Sequence, residues 1–306
     1  MQTAPPSLPS VSVVVASGAG GEFLFRLLDA LQPQAKAEQA EVIVADRVGG
    51  AKVQRLQSNY PWVTVVPVAR GADGRKPSVP QLRAAAVARA RGDVVAVIEE
   101  HCRPPAGWLR AVRESLQPGD AAVGGPILDD GWKRRRDWVV LFSEYHNYLP
   151  PWHDGERALL NGANIAYPRA LLEKHRDVLE SGYWEVVLHP RLAAEGRMRG
   201  LQRLGVHHTG PFDYGYYLHQ RFLLSRVWGA MQREHASLAK RLIYLVAAPL
   251  FPLLLLARIT ARVRGSPYLG AYVNTFPLLV PVAFAYVGGE WTGYAFGFGN
   301  ALEEVE

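Results

Sequence analysis

The feature that most constrains this chain is an alternation within its first hundred residues. Four short runs rich in β-branched residues, "VSVVVAS" (11–17), "EVIVAD" (41–46), "VTVVPV" (63–68) and "DVVAVI" (93–98), are separated by segments with helical apolar spacing at 22–34, 51–61 and 79–90. Unbroken apolar strands are those buried on both faces. Strands alternating with helices predict an α/β fold with a mostly parallel central sheet. Gly92 follows the Ala-rich third helix at a position suited to a helix cap. Ligands of such sheets bind at the carboxyl ends of the strands, and those ends carry Ser17, Asp46 and the run Glu99, Glu100, His101.

Neighbouring residues on a strand point to opposite sides, so Glu99 and His101 share one direction and Glu100 takes the other. A carboxylate and an imidazole at the end of a buried strand suit a divalent cation. Oxygen ligands serve Mg2+ or Mn2+, and imidazole is acceptable to Mn2+. Each polar residue taken singly reads as a solvated loop position; three polar strand ends on one rim favour a site.

The composition changes near residue 240. Between Leu242 and Gly289 the only charged residues are Arg258, Arg262 and Arg264. The stretch 242–257 is short for a bilayer span, which takes about 20 apolar residues, and Pro249 and Pro252 interrupt it. The stretch 265–289 is uncharged and long enough. A buried helical hairpin is one reading. Basic flanks favour a membrane, with a first segment lying in the interface and a second that enters or spans the bilayer, the catalytic part being cytoplasmic. The expected organisation is a flexible terminus (1–10) without a signal-peptide pattern, an α/β domain (11–235) and apolar membrane-associating helices (236–306). The net charge of +6 points to an anionic partner, a nucleotide, a phospholipid surface or a nucleic acid. Scattered basic residues without a recognition motif put nucleic acid last. One cysteine, Cys102, excludes an internal disulfide framework and fits a reducing compartment.

The order of these motifs resembles glycosyltransferase family 2 enzymes with the GT-A fold. "SVVVAS", "EVIVAD", "VPQLRAAAVARARGD", "VVAVI", "EEH" and "PPAGWL" follow the family's opening strand, strand-end carboxylate, Arg-bearing helix, Gly-Asp turn, acidic motif and Gly-Trp turn. The resemblance implies a metal-dependent, inverting transfer from a nucleoside diphosphate sugar, with UDP-sugars foremost. By it, Ser17, Asp46, Arg83, Asp93, Glu99 and Glu100 fall on the nucleotide-sugar side. Glu99 and His101 replace the two aspartates of Asp-x-Asp as ligands of Mn2+ or Mg2+. Ala16 and Ala84 depart from the family's Pro and Asn.

The second half resembles the acceptor side. "LLNGANIAYPRALL" (159–172) matches a segment lining the sugars, where Asn161 and Asn164 could bond hydroxyls; turn chemistry at Asn-Gly is their plainer role. Glu185 falls on the general base, six residues before Arg191-Leu192, with Trp184 in place of a second acid. An acid at a helix start is the alternative reading. His207 or His208, the latter favoured by motif spacing, would complete the metal site. "HQRFLLSRVW" (219–228) is similar to the Gln-x-x-Arg-Trp motif of processive relatives, so Gln220, Arg221, Arg226 and Trp228 would serve acceptor or diphosphate. The apolar tail implies a membrane-proximal, glycan or lipid-linked acceptor at the cytoplasmic face of the cell membrane. Two rivals stand beside this reading. A nucleotidyltransferase would want a basic Gly-rich loop, and "SGAGGEF" (17–23) has no Lys or Arg. A non-catalytic sugar- or nucleotide-binding member is compatible with the altered acidic motif.

Overall fold

The computed structural model of the chain describes residues 10–305 other than 19, 72–73, 75, 181–183 and 209–212. From the amino end run β1 (Val11–Ser17), α1 (Glu22–Glu38), β2 (Glu41–Asp46), α2 (Gly50–Asn59), β3 (Thr64–Pro67), α3 (Val79–Val87), β4 (Val94–Ile98), β5 (Cys102–Arg103), α4 (Trp108–Ser115), β6 (Asp120–Gly124) and β7 (Ile127–Leu128). Next come α5 (Trp138–Glu144), β8 (Gly155–Glu156), β9 (Asn164–Pro168), α6 (Arg169–Lys174), α7 (Arg176–Glu180), α8 (Trp184–Ala193), β10 (Arg197–Gly200) and β11 (Val206–His208). The remainder is helical: α9 (Tyr214–His235), α10 (Leu238–Ala247), α11 (Phe251–Val263), α12 (Leu269–Phe296) and α13 (Ala301–Glu304).

These elements form two units. The α/β unit comprises the chain up to Leu128 together with Trp152–Thr209; the helical unit comprises Asp129–Pro151 and Gly210–Glu306. The expected boundary at 235–236 is therefore corrected. The helical unit takes in α9 and the segment around α5. The cause is packing: Phe142 of α5 meets Tyr272 of α12 at 5.3 Å between ring centroids, and Arg226 of α9 donates to the Gly297 carbonyl at 3.1 Å.

In the α/β unit the main sheet has the order β3-β2-β1-β4-β9-β6-β10-β8. β1 to β4 are parallel; β9 is antiparallel to both β4 and β6, and β10 runs with β6 while β8 opposes it. Six strands thus point one way and two the other. The four predicted strands are all present, and every residue of β1 and β4 is buried. On one face, Val14, Ala16, Ile43, Ala45, Val95 and Val97 pack with Leu82 and Ala86 of α3 and Leu188 and Leu192 of α8. The strand residues alternate and the helical ones recur at four, the two periodicities of an α/β layer. Each buried Leu or Val contributes about 1.5–3 kcal/mol.

Gly92 does not cap α3, whose last turn closes at Ala88. It lies against β1 instead: its N–H donates to Ser12 Oγ at 2.7 Å, and a Cβ there would stand 2.6 Å from the Ser12 nitrogen. Close backbone approach, not turn geometry, demands the glycine. A second small sheet, β5-β11-β7, sets His208 opposite Cys102.

In the helical unit, α10 and α11 continue one another through a 3₁₀ turn at Ala248–Leu250, where Pro249 sits. They pack antiparallel to α12: Tyr244 stacks on Tyr294 at 4.2 Å and Thr260 hydrogen-bonds Tyr272. By length and composition alone, Leu238–Val263 and Leu269–Phe296 are each long and apolar enough to cross a membrane.

Candidate active site

The carboxyl rim of the sheet begins where β1 and β2 end side by side, with Ser17 paired to Asp46. Ser17 is fully buried and its Oγ has no hydrogen-bond partner among the described residues. Asp46 Oδ1 accepts the N–H groups of Val48 at 3.0 Å and Gly49 at 2.8 Å, which shapes the turn into α2. The loop after β1 is held from two sides. Arg47 Nε donates to the Gly18 carbonyl at 3.3 Å and Nη1 to Pro77 at 2.8 Å. Glu100 Oε1 accepts the Gly18 N–H at 3.1 Å. Glu99 to His101 form a turn after β4, closed by the Cys102 N–H donating to the Glu99 carbonyl at 2.9 Å, and not the strand that alternation requires; Glu100 anchors the loop after β1.

At the end of β4, Glu99 Oε1 stands 3.8 Å from His101 Nδ1. The His101 ring meets Phe23 edge-on at 4.8 Å and lies 6.1 Å from the ring of His208. Register places His208 there: β11 pairs with β5, which directly follows His101. His207, its neighbour, points to the other side of the strand. Burial opposes ionisation of Glu99, but the hydrogen bond and charge of His101, then His208 and Arg83, outweigh it and hold its pKa at about 2.

Two donor atoms bound to one octahedral ion at about 2.1 Å stand roughly 3.0 Å apart when adjacent and roughly 4.2 Å apart when opposite. The Glu99 Oε1–His101 Nδ1 separation of 3.8 Å is wider than the adjacent spacing, so both side chains would have to close by about 1 Å or less to share an ion. An ionised carboxylate with an imidazole suits Mn2+ better than Mg2+. Among the described residues no three His, Cys, Asp or Glu side chains gather tightly enough to hold an ion by themselves. The pair therefore fits as a two-ligand clasp that leaves positions for substrate oxygens.

Beside it, Arg83 of α3 pairs with Glu185 in the first turn of α8. Burial works against the Arg83 charge, and the carboxylates of Glu185 and then Glu99 more than restore it, so its pKa is raised. Arg83 is thus the electrostatic link between the strand-end pair and the helix-borne acid. Gly162 lies directly beneath the ion pair, where a Cβ would overlap the Glu185 carboxylate. The Ala163 carbonyl accepts the Glu99 N–H at 3.0 Å, fixing this loop to the end of β4.

Several expected site residues have other duties. Asp93 sits at the amino end of β4, the far end from Glu99, and its carboxylate accepts the Ser10 N–H at 3.0 Å and hydroxyl at 2.9 Å. Asn164 is buried, accepting from Trp108 Nε1 at 3.2 Å and donating to the Leu204 carbonyl at 2.6 Å, so both ends of its amide are committed to the fold. Asn161 Oδ1 accepts the Ala163 N–H at 2.7 Å, which is turn chemistry. Gln220, Arg221, Arg226 and Trp228 all lie on α9 in the helical unit. There Gln220 donates to Glu304, Arg221 pairs with Glu144 at 3.2 Å, and Arg226 bonds Gly297. The Trp184 side chain falls outside the described residues.

Sequence reasoning missed Arg47, Gly162, Tyr167 and His189. His189 is fully buried on α8, with Nε2 3.0 Å from Tyr167 Oη, and burial pushes its pKa down. Its place four residues after Glu185, on the same helix face, was the available signal.

No protein-family model matches the chain, and no curated protein sequence does. Solved structures do. The structure of S. aureus TarS, residues 1–349, in complex with UDP-GlcNAc is 15% identical, with a TM-score of 0.50 and 92% of each chain covered. GalNAc-T7 with UDP, GalNAc and Mn2+ is 14% identical with a TM-score of 0.47; the match covers 67% of this chain but only 44% of that one. Glucosyl-3-phosphoglycerate synthase from Mycobacterium tuberculosis, in complex with Mn2+, UDP-glucose and phosphoglyceric acid, is 15% identical with a TM-score of 0.43, covering 69% and 75%. The likeness to TarS establishes the fold, the GT-A arrangement expected from the order of motifs.

Proposed function

We propose that the chain is a metal-dependent inverting glycosyltransferase that moves a sugar from a nucleoside diphosphate sugar, a UDP-sugar foremost, to a membrane-proximal or lipid-linked acceptor at the cytoplasmic face of a membrane. The observation that carries this reading is the juxtaposition on one rim of Glu99 and His101 with the Arg83–Glu185 pair, linked through Arg83. The GT-A fold shared with TarS, whose structure holds UDP-GlcNAc, supports it.

In this reading the buried Ser17 hydroxyl and the Asp46 loop receive the nucleoside. An ion held by Glu99 and His101, with His208 beside it, would neutralise charge on the diphosphate as it leaves. Glu185 stands as the general base. The acceptor oxygen bonds to the anomeric carbon from the face opposite the diphosphate while its proton passes to Glu185. The bond from that carbon to the phosphate oxygen breaks, and its electron pair stays on the diphosphate. Arg83 answers the growing charge: as the diphosphate departs, its guanidinium turns from Glu185 to the phosphate oxygens, for which its planar fork is suited. The carboxylate is then free to take the proton, a role that typically contributes about 10²–10⁴-fold.

A screen of UDP-sugars with and without Mn2+, read by thermal unfolding, tests the binding half of this account. Stabilisation by one or more UDP-sugars that requires the ion supports it; indifference to all of them overturns it. A second reading is favoured by the ion pair itself. If Arg83 never leaves Glu185, the chain binds its donor without turnover, and the screen would then show stabilisation while a separate assay finds no release of UDP.

A further inference from the structure

We propose that both apolar segments of the helical unit lie in the plane of an anionic membrane surface and that neither crosses the bilayer. This inference concerns the helical unit alone and does not depend on the sugar-transfer reading.

The uncharged part of the first segment is short for a crossing, although the whole helix pair Leu238–Val263 has the length. Residues 242–257 are uncharged and bounded by Arg241 and Arg258. As helix they span about 24 Å, against a hydrocarbon core of about 30 Å. Their exposure is one-sided. Leu242, Ile243, Val246, Leu250, Leu253 and Leu254 face outward, Val246 at 80% exposed, while Ala248, Pro252 and Leu256 are buried against the unit. Outward residues three and four apart make the stripe of an interfacial helix.

The second segment, Leu269–Phe296, is long enough to cross but is not free to do so. α9 runs parallel to it and is locked on by its backbone. Tyr214 Oη donates to Leu278 at 2.6 Å, Arg226 Nε to Gly297 at 3.1 Å and Arg233 Nη1 to Ala295 at 3.1 Å. Glycines admit this contact: a Cβ at Gly289 would overlap the Phe222 carbonyl, and one at Gly229 the Glu290 carbonyl. α9 carries Arg221, Arg226, Gln232, Arg233 and Glu234. A crossing α12 would draw these groups into hydrocarbon, where ionisable side chains are costly. Lying flat, α12 can sink its outer residues Leu269, Val273, Phe276 and Phe284 and leave α9 in water.

Charge identifies the surface. No acidic residue occurs from 238 to 289, while Lys240, Arg258 and Arg264 are exposed around the apolar stripes. A further basic turn, Lys133 to Arg136, docks at the same end of α12, where the Thr275 hydroxyl donates to the Arg135 carbonyl at 3.3 Å and Trp138 meets Tyr268 at 5.3 Å. Basic and aromatic side chains rimming an apolar face match anionic headgroups over an acyl layer.

Two measurements on the full chain test the proposal. The first is flotation with vesicles of phosphatidylcholine alone and of phosphatidylcholine mixed with phosphatidylglycerol. At least about tenfold stronger binding to the anionic vesicles is expected; equal binding, or none to either, overturns the proposal. The second is labelling in sealed membrane vesicles with an impermeant maleimide, using Gly265→Cys, in the turn between the segments where space around the residue is open, and Lys36→Cys, exposed on α1. The native Cys102 is buried and stays unlabelled. Both introduced thiols are expected to react from the same side. Protection of Gly265→Cys until detergent opens the vesicles would show a crossing hairpin and overturn the proposal.

Discussion

Arg83 and Glu185, 102 residues apart in the chain, form a partly buried ion pair directly above Gly162. The pair joins α3 to α8 and sets a carboxylate beside the Glu99–His101 rim. In the proposed reaction an acid so held would take the acceptor's proton only once its partner finds a stronger claim. A diphosphate is such a claim, since guanidinium pairs with phosphate as well as with carboxylate.

Glu185→Gln is isosteric and keeps a hydrogen-bond acceptor for Arg83. It is expected to lower sugar transfer about 10²–10⁴-fold while leaving donor affinity within a few-fold. Arg83→Ala is expected to weaken donor binding as well. Donor titrations beside turnover separate the two, and equal loss of binding in both variants would contradict the division of roles.

Gly162→Ala places a methyl group into the Glu185 carboxylate. The pair has to part or the loop has to move, at a cost of about 1–3 kcal/mol, seen as a lower urea midpoint. Gly265→Ala, at a glycine with no atom within 4 Å of the new methyl, is the control and is expected to change stability by less than about 0.5 kcal/mol.

Much of this was legible in the sequence. The β-branched runs at 11–17, 41–46, 63–68 and 93–98 were readable because a strand buried on both faces has no polar interruptions. That Glu99, His101 and Glu185 would gather near one another was an expectation from the order of motifs, and the structure brings them together through Arg83. What remained hidden depends on long-range contact. Nothing local to "NGAN" says that Gly162 makes room for an acid from α8, or that Asn164 is spent on Trp108 and Leu204. Asp93 was readable as the residue that opens its strand, but that its carboxylate is spent on Ser10 depends on a contact 83 residues away. The early start of the helical unit was equally invisible: α9 reads as an ordinary amphipathic helix until the glycines of α12 close on it.

Asp120 is the buried acid of a structural pair in the α/β unit. Its side chain is fully buried and accepts Arg199 Nε at 3.0 Å and 3.1 Å. Asp120→Ala leaves the Arg199 charge uncompensated where β6 meets β10, and a loss of about 3–5 kcal/mol is expected. Turnover per folded molecule should be unchanged, which distinguishes this acid from Glu185.

Burial holds the His146 pKa down at about 4, against an ordinary value of 6.5. The unfolded chain therefore binds a proton that the folded chain refuses between these values. Stability from this group is complete above about pH 6.5 and is lost as pH falls through about 4, by roughly 3 kcal/mol in all. Urea midpoints at pH 7 and pH 5 should differ more in the natural protein than in His146→Asn. An identical drop in both would contradict the assignment.

The most direct test of the central claim is release of UDP from the UDP-sugar that stabilises the chain, measured with Mn2+ and with the ion chelated, for the natural protein, Glu99→Gln and Glu185→Gln. The account expects ion-dependent turnover by the natural protein, loss of the ion's effect in Glu99→Gln, and a Glu185→Gln protein that binds donor and ion yet scarcely releases UDP. Undiminished turnover in Glu185→Gln, or turnover indifferent to the ion and to Glu99, would contradict it.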